Sequence, residues 1–134
     1  HPFVATFLGD ANLIPCVAVP TAEGLELHPQ GGRVFNLSDT GGHMVQGGET
    51  DTTTAHFYMM IRPEDVVIDT VAPIYQGTIV TWEYLGYASY AEVKTDHGPT
   101  LKILTGKETH FALGARVGLS FREPALKLLP INQK

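Results

Sequence analysis

The sequence predicts an all-β domain built around a small barrel, and three observations carry that expectation. Residues 55–62 alternate Phe57, Met59 and Ile61 with His56, Tyr58, Met60 and Arg62, the period of two that a strand requires. Residues 77–129 divide into short strand-like pieces at regular spacing, joined by turns that contain glycine. The apolar pieces within residues 13–37 are equally short, and the cluster His28-Pro29-Gln30-Gly31-Gly32 separates them as a turn would in a meander.

Composition agrees with a folded domain. A chain of 134 residues can remove roughly two-thirds of its unfolded surface from water as one unit, residues 1–134. Its 43% hydrophobic and 17% charged residues exclude a disordered segment. No apolar run approaches the roughly 18 residues that would span a bilayer, so direct membrane insertion is not expected. A formal net charge of -5, with no cluster of Lys or Arg, argues against a nucleic-acid partner, because phosphate binding gathers positive charge. Cys16 is the only cysteine and has no partner within the chain for a disulfide, which suits a reducing compartment. Its apolar surroundings mark it as a small buried hydrophobe.

Taken in order, residues 2–8 place Phe3 with Phe7 and Val4 with Leu8 at i,i+4 spacing ahead of Gly9, which predicts a short helical lead-in over residues 1–10. Residues 13–19 are an apolar run broken by Pro15, which predicts an edge or irregular strand. Residues 25–27 and 33–37 are short alternating strands. Residues 38–54, with two glycine pairs and several threonines, predict a surface loop. A phosphate cradle there would need a helix to follow, and a strand follows instead. Pro63 lacks an N–H and ends the strand 55–62; Glu64 and Asp65 turn the chain, and residues 66–68 resume extended structure. Residues 77–84 set Val80, Trp82 and Tyr84 against Ile79, Thr81 and Glu83. A turn at Leu85-Gly86 leads to residues 87–94, and Asp96-His97-Gly98 forms a hairpin to Leu101, Ile103 and Thr105. Residues 114–121 and 126–129 close the domain.

Met60-Ile61-Arg62-Pro63-Glu64-Asp65-Val66, Gly77-Thr78-Ile79-Val80, Tyr84-Leu85-Gly86 and a closing Gly114-Ala115-Arg116-Val117-Gly118-Leu119-Ser120-Phe121 occur in the order seen in one family. With Phe3-Val4-Ala5-Thr6-Phe7-Leu8-Gly9-Asp10-Ala11-Asn12 upstream, the chain resembles the C-terminal accessory region, called TOBE, of the ATP-hydrolysing subunit of bacterial ABC importers. The resemblance implies a barrel related to the oligonucleotide- and oligosaccharide-binding (OB) fold and to MOP-type domains, with residues 60–130 as its core. It implies a fragment of a longer subunit whose ATP and magnesium chemistry lies in a separate ATPase domain. The fragment itself would carry no cofactor and no catalytic residue. Its partners would be its own ATPase domain, a second copy in a homodimer and, through the parent protein, the membrane permease subunits. That places it in the cytoplasm at the inner face of the membrane. The wording of the motifs is closer to polyamine- or ferric-iron-type importers than to sugar importers. Residues 31–54 do not follow the family pattern.

Independent motif checks leave few chemical sites. Gly106-Lys107 is followed by Glu108, and Leu101 stands where a phosphate loop needs its first glycine. No serine sits in a Gly-x-Ser-x-Gly elbow. The six histidines lack metal-ligand spacing, so no metal site is expected. Arg62 and Glu64 are the polar residues expected to act, either as a structural turn pair or as a contact with the ATPase domain or regulatory partner. Trp82, Tyr84, Tyr87 and Tyr90 are the candidates for a dimer interface. The rival reading is a free-standing oxyanion-binding domain using Ser89, Thr100, Lys102 and Lys107. A base-stacking barrel using the same aromatics is the third, and the acidic balance opposes it.

Overall fold

The computed structural model describes residues 10–37 and 55–131. The helical lead-in and the loop of residues 39–54 lie outside the described residues, apart from Asp10, which stands at a turn. Ten strands are present among the described residues. They are β1 (Asn12–Thr21), β2 (Gly24–Pro29), β3 (Phe35–Leu37), β4 (Ala55–Ile61), β5 (Val66–Ile68), β6 (Tyr75–Tyr84), β7 (Ala88–Thr95), β8 (Thr100–Gly106), β9 (Arg116–Phe121) and β10 (Lys127–Pro130). They form two five-stranded sheets ordered β10-β4-β1-β2-β3 and β5-β9-β6-β7-β8. Each pairing in both sheets is antiparallel. The second sheet curls until its edge strands β5 and β8 face each other, giving a nearly closed barrel.

Both sheets bury one face in a common core. Ile14, Met59, Ile61 and Leu128 from the first sheet join Ile79, Val93, Ile103 and Leu119 from the second, each 2% exposed or less. Every such side chain stabilises the fold by about 1.5–3 kcal/mol relative to exposure. The alternation at Phe57, Met59 and Ile61 places these three residues inward.

The chain passes between the sheets twice, each time through a 3-10 turn containing proline. Pro63–Asp65 carries it from β4 to β5, and Glu123–Ala125 carries it from β9 to β10. The turns are tied together: the Arg122 N–H donates to the Asp65 carbonyl at 2.9 Å, and Arg122 Nε donates to Asp65 Oδ1 at 3.0 Å.

Pro15 corrects the expectation for its strand. Far from an edge, β1 lies between β4 and β2. The ladder tolerates proline because Pro15 stands opposite Gln30, one residue past the end of β2. The Gln30 N–H still donates to the Pro15 carbonyl at 2.8 Å. The Gln30 carbonyl, deprived of the N–H that another residue would offer, accepts from the buried Tyr75 hydroxyl at 2.6 Å. The strand of His28 and Pro29 likewise continues where the sequence suggested a turn.

A second correction concerns β6. Register shifts between Ile79 and Thr81, the signature of a bulge at Val80. Ile79 therefore shares the inner face with Trp82 and Tyr84, which stand opposite the fully buried Ala91 and Ser89. Thr81 and Glu83 share the outer face with Glu92 and Tyr90. Strict alternation from Ile79 would have put these sets on the wrong sides.

Arg116 holds both carboxylate oxygens of Asp96, at 2.7 and 2.6 Å, and this hydrogen bonding keeps the Asp96 pKa below its ordinary 3.8. A depressed folded-state pKa stabilises above the ordinary value, and the contribution is lost as pH falls through the folded value. Between about pH 5 and pH 2, Arg116→Gln is expected to weaken the fall of the urea midpoint with acid. Because both side chains are substantially exposed, the change will be small. An unchanged acid slope would show that the pair contributes nothing.

Candidate functional site

Arg62 stands at the end of β4 in extended conformation, fixed there by Pro63 behind it. Its carbonyl accepts from the Asp65 N–H at 2.9 Å, which closes the turn and sets Glu64 beside it. Lys102 reaches the same place from β8. The Asn12 carboxamide clasps its backbone, donating to the Lys102 carbonyl at 2.9 Å and accepting from the Lys102 N–H at 2.7 Å. With Asp10, Tyr87 and Tyr90, these residues line a cleft of about 310 Å³. The cleft thus brings together Arg62, Glu64, Tyr87 and Tyr90, four of the six residues marked as contact or interface candidates, with Lys102 from the oxyanion set.

Its electrostatics are mixed. Arg62 and Lys102 bring positive charge, while Asp10 and Glu64 bring negative charge. Tyr90 donates to Glu92 Oε2 at 3.0 Å. Burial, then that hydrogen bond, then the nearby charges of Glu92, Asp10 and Glu83 push its phenol up to about 12. Tyr90 is a neutral donor over the physiological range. Tyr87 is 73% exposed and forms the wall shared with a neighbouring groove of about 560 Å³ between β5 and β8.

Trp82 and Tyr84 are not in this cleft. Lying on the inner face, they line a separate hollow of about 470 Å³ with Lys107, Glu108 and His110. The His110 ring meets Trp82 edge to face, with centroids 6.1 Å apart. Sequence reasoning singled out neither Asp10 nor His110. Asp10 comes from the far end of the chain, and His110 from an irregular loop, so neither had a periodic signal.

The oxyanion set does not converge. Ser89 is fully buried and donates to the Thr109 carbonyl at 2.7 Å, Lys107 lies at the second hollow, and Lys102 lies at the cleft. Among the described residues no group of three His, Cys, Asp or Glu side chains could hold a metal ion. No helix among them is long and apolar enough to cross a membrane. Burial pushes the Cys16 thiol up to about 11, which suits a packing role and not a nucleophile.

A curled antiparallel sheet with shallow, mixed-charge clefts defines a small β-barrel domain. Residues 59–129 match the TOBE domain family, and the chain belongs to it. It is similar to the Fe(3+) ions import ATP-binding protein FbpC of Brucella suis biovar 1 (strain 1330), with 28% identity over 132 residues that cover 98% of this chain and 34% of the relative. FbpC of Brucella abortus (strain 2308) aligns with the same identity and coverage. The chain therefore spans about a third of the length of these curated relatives. Its fold is similar to that of the cytoplasmic molybdate-binding protein ModG, with a TM-score of 0.62 and 13% identity over 90% of this chain and 96% of the other.

Proposed function

We propose that this chain is the regulatory accessory domain of the ATP-binding subunit of an ABC importer, working at the cytoplasmic face of the membrane. The carrying observation is that nearly its whole length aligns with one third of ferric-ion import ATP-binding proteins. In this reading, nucleotide chemistry belongs to the remaining two thirds, and the cargo is ferric iron or a solute handled by a related importer. Arg62 and Glu64 offer the contact to the ATPase domain, because a rigid turn presents both at the mouth of a cleft. A second copy pairs through the exposed surface around Tyr87, one of the four aromatics marked in the sequence, with Leu85 and Ile68, which the sequence did not mark, beside it. Permease subunits are met through the parent protein.

In the intact subunit, Arg62→Ala is expected to alter ATP turnover several-fold with nucleotide affinity unchanged. Calorimetric titration of the isolated chain with magnesium-ATP should be flat, and sedimentation velocity from micromolar to millimolar protein should show concentration-dependent pairing. Micromolar ATP binding by the isolated chain would defeat the reading. The second reading, a free-standing oxyanion binder, draws support from the ModG-like fold and from Arg62 and Lys102 lining one cleft. Saturable molybdate binding, abolished by Lys102→Ala, would favour it over the first.

A further inference from the structure

We propose that the outer edge of β6 at Trp82 and Tyr84 receives an extended peptide of alternating basic and apolar residues, added to the second sheet as an antiparallel strand. This goes beyond the regulatory reading and does not depend on it.

Among the described residues the edge is open. Ile79 is the last β6 residue bonded on the β9 side: its N–H donates to the Ala115 carbonyl at 2.9 Å, and its carbonyl accepts from the Gly114 N–H at 2.8 Å. Beyond it, β6 runs five more residues paired with β7 alone. The Leu85 N–H donates to the Ala88 carbonyl at 2.8 Å, which sets the phase of the ladder. Residues 81, 83 and 85 therefore turn their backbone groups to β7, and Trp82 and Tyr84 turn theirs outward. Two donors and two acceptors are presented, and no described backbone group answers them. Residues 80–84 are all exposed and include no proline; Glu83 is their one charge, and the bulge at Val80 lies before the two outward residues.

The side chains state the partner's chemistry. A strand laid along this edge would place alternate residues beside Trp82 and Tyr84 on the inner face, where an apolar side chain can pack on the two rings at the rim of the hollow shared with Lys107, Glu108 and His110. The intervening residues would lie beside Glu83 on the outer face, while Glu92, one strand further in, already stands opposite Lys102 of β8. Thr81 already donates to Glu92 at 3.2 Å, and Tyr90 donates to the other oxygen, but Glu83 has no such donor among the described residues. A basic side chain directly opposite Glu83 complements it. A second copy does not fit: the two-fold pairing that satisfies both Trp82 and Tyr84 would set Glu83 directly opposite its own mate, a like-charge contact.

The test uses the whole 134-residue chain and two capped hexapeptides, Lys-Val-Lys-Val-Lys-Val and Glu-Val-Glu-Val-Glu-Val. Trp82 is the only tryptophan, so its emission reports on the edge directly. The lysine peptide is expected to shift that emission saturably and to slow exchange of the Trp82 and Tyr84 amides, while the glutamate peptide does neither. Glu83→Lys should weaken binding several-fold. Tyr84→Pro removes an N–H that points outward, leaves the ladder to β7 intact, and should abolish binding. The proposal is overturned if the lysine peptide gives no saturable change, or if both peptides bind equally. It is equally overturned if the protected amides lie at Leu104 on β8, or if the same amides become protected by protein concentration alone.

Discussion

Replacing Asn12 with alanine is expected to lower unfolding free energy by about 2–4 kcal/mol, because each buried backbone group left unpaired costs about 1–3 kcal/mol. Asn12 is 4% exposed, and its amide makes both bonds to Lys102 that a neighbouring strand would otherwise supply. Only a water entering the vacated space could serve the donor and the acceptor together. Asn12→Asp retains the acceptor for the Lys102 N–H but turns a charge toward the Lys102 carbonyl, so it should be no better than alanine. Urea unfolding followed by Trp82 fluorescence would check both variants; a change within about 0.5 kcal/mol, the range of an ordinary surface substitution, would show the clasp to be dispensable.

Gly31→Ala should be at least as damaging, at about 3 kcal/mol or more. Gly31 has φ +74, where a side chain is strained, and an added Cβ would run into the backbone of His97 and Gly98. Backbone cannot yield as a side-chain end would. The clash would also separate Gln30 from Tyr75, whose bond replaces the one that Pro15 cannot make. Gly86→Ala provides the comparison: its φ is +92 but nothing lies within 4 Å of an added Cβ, so only the conformational cost of about 1 kcal/mol should appear. Equal losses at the two positions would mean that the packing of the β2–β3 turn on the β7–β8 turn contributes nothing.

Much of the strand content was legible because period-two patterning is a local property. Phe57, Met59 and Ile61 declared their inner face, and Arg62-Pro63-Glu64 declared the turn, from neighbours alone. Pro15 misled because its tolerance depends on where β2 ends, a fact about residue 30 and not about residues 13–19. The bulge at Val80 left no mark in the pattern, since valine suits either face of a strand. The cleft was half legible: Arg62 and Glu64 stood out by motif, while Asp10 and Lys102 reach it only through a clasp between residues 90 positions apart. The aromatic cluster Trp82, Tyr84, Tyr87 and Tyr90 looked like one surface in the sequence and is divided, Trp82 and Tyr84 lining one hollow and Tyr87 and Tyr90 the cleft.

The two proline turns have a consequence for the order in which the fold can be completed during synthesis. The first sheet receives four of its strands from residues 12–61, but its edge strand β10 is the last of the ten to leave the ribosome. Until then β4 has a bare edge, and the pocket for Leu128 is unfilled. The second sheet, made entirely in between, must be in place before Arg122 can find Asp65 and direct the chain back. Neither layer can mature alone, so a nascent chain of this design should stay protease-sensitive through most of its length and acquire resistance in one late step. Long-range pairing of this kind also folds slowly, because loop closure is paid before the contacts are made.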